Sequence, residues 1–120
     1  MIITQRSEQG IDVVEISGRL LMADVDEARS SLKTIVTEGN GKLVLDLGQL
    51  SFIDSSGCGV LIAALKYIRM REGKIALCAL TRNVRALLEL TKVIELFSVF
   101  PTTDAALEAF ADQSGDPKQA

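Results

Sequence analysis

The stretch "FIDSSGCGVLIAAL", Phe52 to Leu65, passes from a short apolar segment into a longer one through an acid, two serines and two glycines. That order reads as strand, turn and helix. The first N–H groups of a helix lack intrahelical partners, and Asp or Ser oxygens placed there accept from them. With a helix from Gly57 to Glu72 and about 100° of turn per residue, Val60, Leu61, Ala64, Leu65 and Ile68 share one side, which must face the core. Gly59, Ala63, Lys66 and Met70 fall roughly opposite, with Ile62 at the flank. Exposed helix faces normally carry charge, whereas this one is small and apolar. Either another macromolecule docks there, with Gly59 and Ala63 allowing close approach and Ile62 and Met70 giving adaptable apolar contact, or a second layer of the same domain covers it.

Outward from this centre, β-rich and helical segments alternate. Ile2 to Arg6 and Ile11 to Ser17 read as strands joined by a turn at Glu8-Gln9-Gly10. In the second, Ile11 and Val13 share one parity and Val14 and Ile16 the other, so the strand is covered on both sides or carries a bulge. Asp24 to Thr37 has helical spacing and stops at Gly39-Asn40-Gly41. "KLVLDL" is a dense apolar run suited to the middle of a sheet, and Lys74 to Cys78 is a further strand. Thr81 caps a helix whose Val84, Leu87, Leu88 and Thr91 share a side; Phe97 to Phe100 is a short strand, and Thr103-Asp104 opens a last helix to Phe110. Such alternation means crossover connections and a partly parallel sheet covered by helices. One domain over 1–111 is expected, followed by a mobile polar tail at 112–120, "DQSGDPKQA".

Composition removes several function classes. The 120 residues are 48% hydrophobic and 24% charged, enough for one aliphatic core. Thirteen Lys and Arg against 16 Asp and Glu leave a net charge of −3, the wrong sign for nucleic acid. Arg69, Arg71 and Lys74 gather where cations would offset a helix C-terminus. No signal peptide is apparent at the start, and Lys66 interrupts the best apolar run short of a membrane span. A cytoplasmic location follows. Two cysteines at no ligand spacing, with no histidine at all, argue against a metal or cofactor. Cys58 and Cys78 read as small buried hydrophobes, although a helix start beside Cys58 would lower its pKa and favour a redox role.

Asp54, Ser55 and Ser56 taken alone are ordinary capping residues, yet a helix N-terminus also suits a phosphate. A phosphoserine adds about −1.5 to −2 charges. Its effect on its own helix is of the order of 1 kcal/mol, small beside the roughly 5–15 kcal/mol of a folded domain. A modified serine here would therefore act on a partner, where like charges in an interface cost several kcal/mol.

These residues resemble the STAS domain of bacterial anti-sigma factor antagonists. The likeness is carried by Gly18 and Leu20, the run Leu43 to Leu65 with its D-S-S-G-x-G-V centre, Gly73, and "NVRALLEL", and it spans nearly the whole chain. It implies an α/β fold, a single domain with a mixed four- to five-stranded sheet and about four helices, and no catalysis. It also implies partner switching. The unphosphorylated antagonist would bind an anti-sigma factor that is also a serine kinase, be phosphorylated at Ser55 and released, and be restored by a serine phosphatase. By position Asp54 would shape the loop, Ser56 would cap or hydrogen-bond, and Gly57 and Gly59 would permit close approach. One departure stands out: Gly18-Arg19-Leu20-Leu21 replaces the family's frequent G-E-L-D. Either Asp24 and Asp26 take over that negative charge or the kinase differs.

Three other readings compete. A non-switching STAS subunit of a stress-signalling scaffold or lipid-transport ATPase would use Ile62, Ala63 and Met70 for permanent contact. A nucleotide sensor would need a Gly-rich loop and Lys that this turn lacks. An enzyme would need a base for Ser55 or Cys58, and no histidine is available.

Overall fold

Ile11 to Leu20 organises the architecture, because apolar side chains at both parities demand cover on both faces. A computed structural model describes residues 1–111; the expected tail at 112–120 lies outside the described residues. Strands β1 (Ile2–Glu8) and β2 (Ile11–Leu20) form an antiparallel hairpin, registered from Glu8↔Ile11 to Ile2↔Ser17. Its turn places Gln9 and Gly10 at φ 56° and 77°, the left-handed pair that a two-residue hairpin turn requires. A 3-10 turn (Met22–Asp24) leads into α1 (Val25–Glu38), β3 (Lys42–Asp46), β4 (Leu50–Ile53), α2 (Ser55–Met70) and β5 (Lys74–Cys78). Then follow α3 (Arg82–Leu90), a second 3-10 turn (Val93–Leu96), β6 (Ser98–Phe100) and α4 (Thr103–Ala111).

The sheet runs β1-β2-β3-β5-β6, with every pair after the hairpin parallel. β4 lies off this path on β2, so the sheet has six strands, one above the expected range. The length of β2 explains it. Asp12 to Glu15 pair with β3, whereas Gly18 to Leu20 pair with β4, and the register shifts between Gly18 and Arg19. Gly18 has φ 88°, a conformation that few side chains tolerate. Of the two alternatives for Ile11 to Ser17, two-sided cover holds, since the register there is unbroken and the irregularity lies just beyond, at Gly18 and Arg19.

On one face, Val14, Ile16, Leu43, Leu45 and Leu77 pack with Ala28 and Leu32 of α1 and with Val60, Leu61, Ala64, Leu65 and Ile68 of α2. On the other, Ile11, Val13, Val44, Ala76 and Cys78 lie with Ala106, Leu107 and Phe110 of α4. The core side expected for the central helix is the buried side.

Two polar expectations change. Thr81 occupies the N-cap position of α3, yet its hydroxyl makes no cap bond and instead donates to the Leu50 carbonyl at 2.8 Å. Arg71 follows α2 but serves α1: its Nη1 donates to the carbonyls of Val36 and Gly39, the latter at 2.8 Å. The Val36 carbonyl also takes the Gly39 N–H at 3.4 Å, so the guanidinium adds a second, charged donor there and satisfies the Gly39 carbonyl where α1 ends. Arg71→Ala should lower unfolding stability by about 1–2 kcal/mol, read as a lower urea midpoint, and Arg71→Lys should recover only part of that loss.

Candidate partner-binding site at the start of α2

Strand β4 delivers Asp54 beside the end of β2, because Ile53 pairs with Leu20 and the Asp54 N–H donates to the Leu20 carbonyl at 3.3 Å. Asp54 is the N-cap of α2. Its Oδ1 accepts the Gly57 N–H at 2.8 Å, while its Oδ2 accepts the Met22 N–H at 3.0 Å. One carboxylate thus caps the helix and tethers the 3-10 turn. Asp24 repeats the device on a smaller scale, accepting the Leu21 N–H at 2.9 Å. The helix consequently begins at Ser55, two residues before the expected Gly57.

Ser55 holds the first helical position and is exposed. Among the described residues its hydroxyl has no hydrogen-bond partner, and neither has that of half-buried Ser56. Capping therefore falls to Asp54 and not to Ser56, because the longer-reaching carboxylate already takes the Gly57 N–H.

The two glycines part company. Gly57 is buried, and a Cβ there would lie 2.5 Å from both Ile53 Cγ1 and the Leu20 carbonyl oxygen. Its close approach is to this chain's own strands, so it is not a surface for a partner. Gly59 is exposed, and a Cβ there would meet nothing within 4 Å.

The outer face of α2 divides in the same way. Ala63 is 5% exposed on a helix that α1 packs alongside, and Ile62, at the flank, is half-buried against the core. The domain itself, with α1 in the same layer, buries this part of the face, which corrects the expectation that Ala63 meets a partner. Met70 is 84% exposed, but the 16-residue helix puts it about 22 Å from Ser55 at roughly 1.5 Å per residue.

Other apolar residues surround Ser55. On the α3 side a groove of about 510 Å³ is lined by Phe52, Ser55, Leu87 and Leu90, with Phe52 46% and Leu90 80% exposed. On the α1 side a recess of about 470 Å³ is lined by Met22, Val25, Arg29, Ser56 and Gly59. Ser55 stands between them. Leu90 carries a readable signal, since helix phase sets it about 200° from buried Leu88; exposed Met22 carries none.

The cysteines are buried and free. Burial pushes the Cys58 thiol up, with the Asp54 charge adding to it and a hydrogen bond with Thr91 opposing. Burial pushes Cys78 up as well, against a hydrogen bond with Thr103. At Cys58 the shift runs opposite to the lowering expected from a helix start, and burial is its main cause. Among the described residues no group of three or more His, Cys, Asp or Glu is placed to hold a metal, and no helix is long and apolar enough to cross a membrane.

Residues 3–106 match the family model of the STAS domain. BtrV of Bordetella bronchiseptica is 30% identical over 110 residues, 92% of this chain and 95% of its own. The anti-sigma F factor antagonist of Paenibacillus polymyxa is 29% identical over 111 residues, 92% of each chain. The fold also matches the anti-sigma factor antagonist SpoIIAA in its unphosphorylated form, with TM-score 0.79 and 18% identity over 95% of this chain and 100% of that one. Its phosphorylated form matches with TM-score 0.68 at 18% identity, over 89% and 97%.

Gly57→Ala should cost about 1–3 kcal/mol by overpacking, whereas Gly59→Ala should add about 0.5–1 kcal/mol through helix propensity. Urea denaturation of both variants checks this, and equal midpoints would contradict the steric assignment. Because a raised thiol pKa means less thiolate at a given pH, both cysteines should react with a disulfide reagent at pH 8 more slowly in the native chain than in urea.

Proposed function

The chain belongs to the STAS domain family, and we propose that it is an anti-sigma factor antagonist whose docking is switched by phosphorylation at Ser55. Unphosphorylated, it binds an anti-sigma factor that is also a serine kinase. Transfer of phosphate to Ser55 releases that partner, and a serine phosphatase restores binding. The chain itself is a non-catalytic regulator that works in the cytoplasm.

One observation carries this reading: an exposed, unpaired Ser55 hydroxyl stands between an apolar groove on the α3 side and a mixed recess on the α1 side, next to an aspartate wholly committed to the backbone. A kinase reaches Ser55 before half-buried Ser56. The phosphate would lie at the N-terminus of α2, where the dipole favours negative charge by about 0.3–1 kcal/mol. The antagonist would keep its fold. An interface built over Phe52, Leu90 and Met22 would instead enclose the new charge, and each ~1.4 kcal/mol of repulsion weakens affinity tenfold.

Bare Gly59 lets the partner's backbone come close, and Asp24 with Asp26 supplies negative charge where Arg19 stands in place of the family's acid. Ile62 borders this surface and Met70 extends it along α2, while Gly57 and Ala63 act from inside by setting where α2 sits. The position of Asp54 is likewise indirect, since it orients the helix start that presents Ser55.

With the cognate anti-sigma kinase, Ser55→Ala should bind as wild type does but resist release by ATP, and Ser55→Glu should bind at least about tenfold more weakly. Isothermal titration with and without ATP, followed by phosphosite mapping, makes the test. Phosphate on Ser56 alone, or equal affinity of the Glu variant, overturns the proposal.

A further inference from the structure

Helices α1 and α2 lie side by side and point the same way. At one end Met22, Val25 and Asp26 face Ser56 and Gly59; at the other Val36 and Thr37 face Tyr67, Met70 and Arg71. Recesses of about 470 and 400 Å³ mark the two ends of one valley. Buried Val36 and half-buried Tyr67 form its floor, and Met22 and Met70, 72% and 84% exposed, stand on its rim.

The charge along this valley is opposite to that of the molecule. The chain carries −3, yet Arg29 and Lys33 line the α1 wall and Arg71 closes the far end; exposed Lys66 lines neither recess but by helix phase shares the outer row of α2 with Gly59 and Met70. Asp26 is the one acid lining either recess. Glu27 and Glu38 lie about 120° and 140° round α1 from Lys33 at roughly 100° per residue. Arg29 Nε donates to the Tyr67 hydroxyl at 3.5 Å, and Arg71 is fixed by two α1 carbonyls, so two cations are held in place. Lys33 and Lys66 have no ion-pair partner among the described residues.

We propose that this valley docks an acidic amphipathic helix of the partner protein. A trough between two parallel helices is the shape into which a third helix packs. Leu-like side chains would meet Tyr67 and Met70, and carboxylates would meet Arg29, Lys33, Lys66 and Arg71. A lipid surface is too flat to reach Val36 and Tyr67 at the floor. The inference rests on the proposed switch and deepens it: the valley opens at Ser56, so phosphate on Ser55 sets negative charge at the mouth through which an acidic helix lies.

The test titrates the isotopically labelled full-length chain with a synthetic helical peptide bearing Leu on one face and Glu on its flanks, followed by NMR. Saturable amide shifts should cluster in residues 25–37 and 59–71, and the double variant Lys33→Glu/Lys66→Glu should weaken binding by about tenfold or more. Lys33→Gln/Lys66→Gln should weaken it less, and circular dichroism of both variants verifies their folding. Equal binding of a peptide with Lys in place of Glu overturns the proposal, as does binding outside the valley. Sedimentation with phosphatidylglycerol vesicles through the same lysines, without peptide binding, overturns it in favour of a membrane. Failure of the peptide with intact release at Ser55 refutes the docking mode alone; peptide binding without such release refutes the switch alone.

Discussion

The Asp54 carboxylate is the joint on which the site depends. One oxygen holds the Gly57 N–H and the other holds the Met22 N–H, 32 positions away in sequence. The start of α2 and the exit from β2 are therefore one rigid unit. Because Asp54 does the capping, the hydroxyls of Ser55 and Ser56 are left without hydrogen-bond work, and chemistry at Ser55 need not break anything that the fold requires.

Rigidity on one side of the helix start is matched by openness on the other. Gly57 packs so tightly against Ile53 and Leu20 that no side chain fits, whereas Gly59, half a turn on, faces open space. A surface helix with an interior glycine that its own packing does not need gives up about 0.5–1 kcal/mol relative to alanine. Binding explains that sacrifice better than folding does, and it fits a protein whose work is to be held and let go.

Much of this was legible in residue order. The parity change within Ile11 to Ile16 narrowed the strand to cover on both faces or a bulge, and about 100° per residue separated the buried stripe of α2 from its outer row. What periodicity reports is an angle, never the identity of the neighbour. Hence Ala63 was placed opposite the core stripe, but only the tertiary packing, with α1 alongside α2, reveals that it is buried. The strand before the turn was legible as β4, but its extent and place were not, because its four residues bury only Leu50 and Ile53, a pattern without alternation, and because its partner is the far half of a strand already used by β3. Arg71 and Thr81 misled for a common reason: each looked like a local cap, and each bonds to a carbonyl more than 30 residues distant. Long-range hydrogen bonds leave no periodic trace.

The divided pairing of β2 also bears on how the chain is made. Ile11 to Val14 reach the solvent before β3, their neighbour on one side, has been synthesised, and at roughly 5–20 residues per second the wait is of the order of seconds. An apolar strand with an open edge is an invitation to aggregate. The tight turn at Gln9 and Gly10 lets β1 occupy the opposite edge within microseconds. The hairpin thus acts as a built-in escort during biogenesis, halving the adhesive perimeter of the nascent chain until the parallel strands arrive.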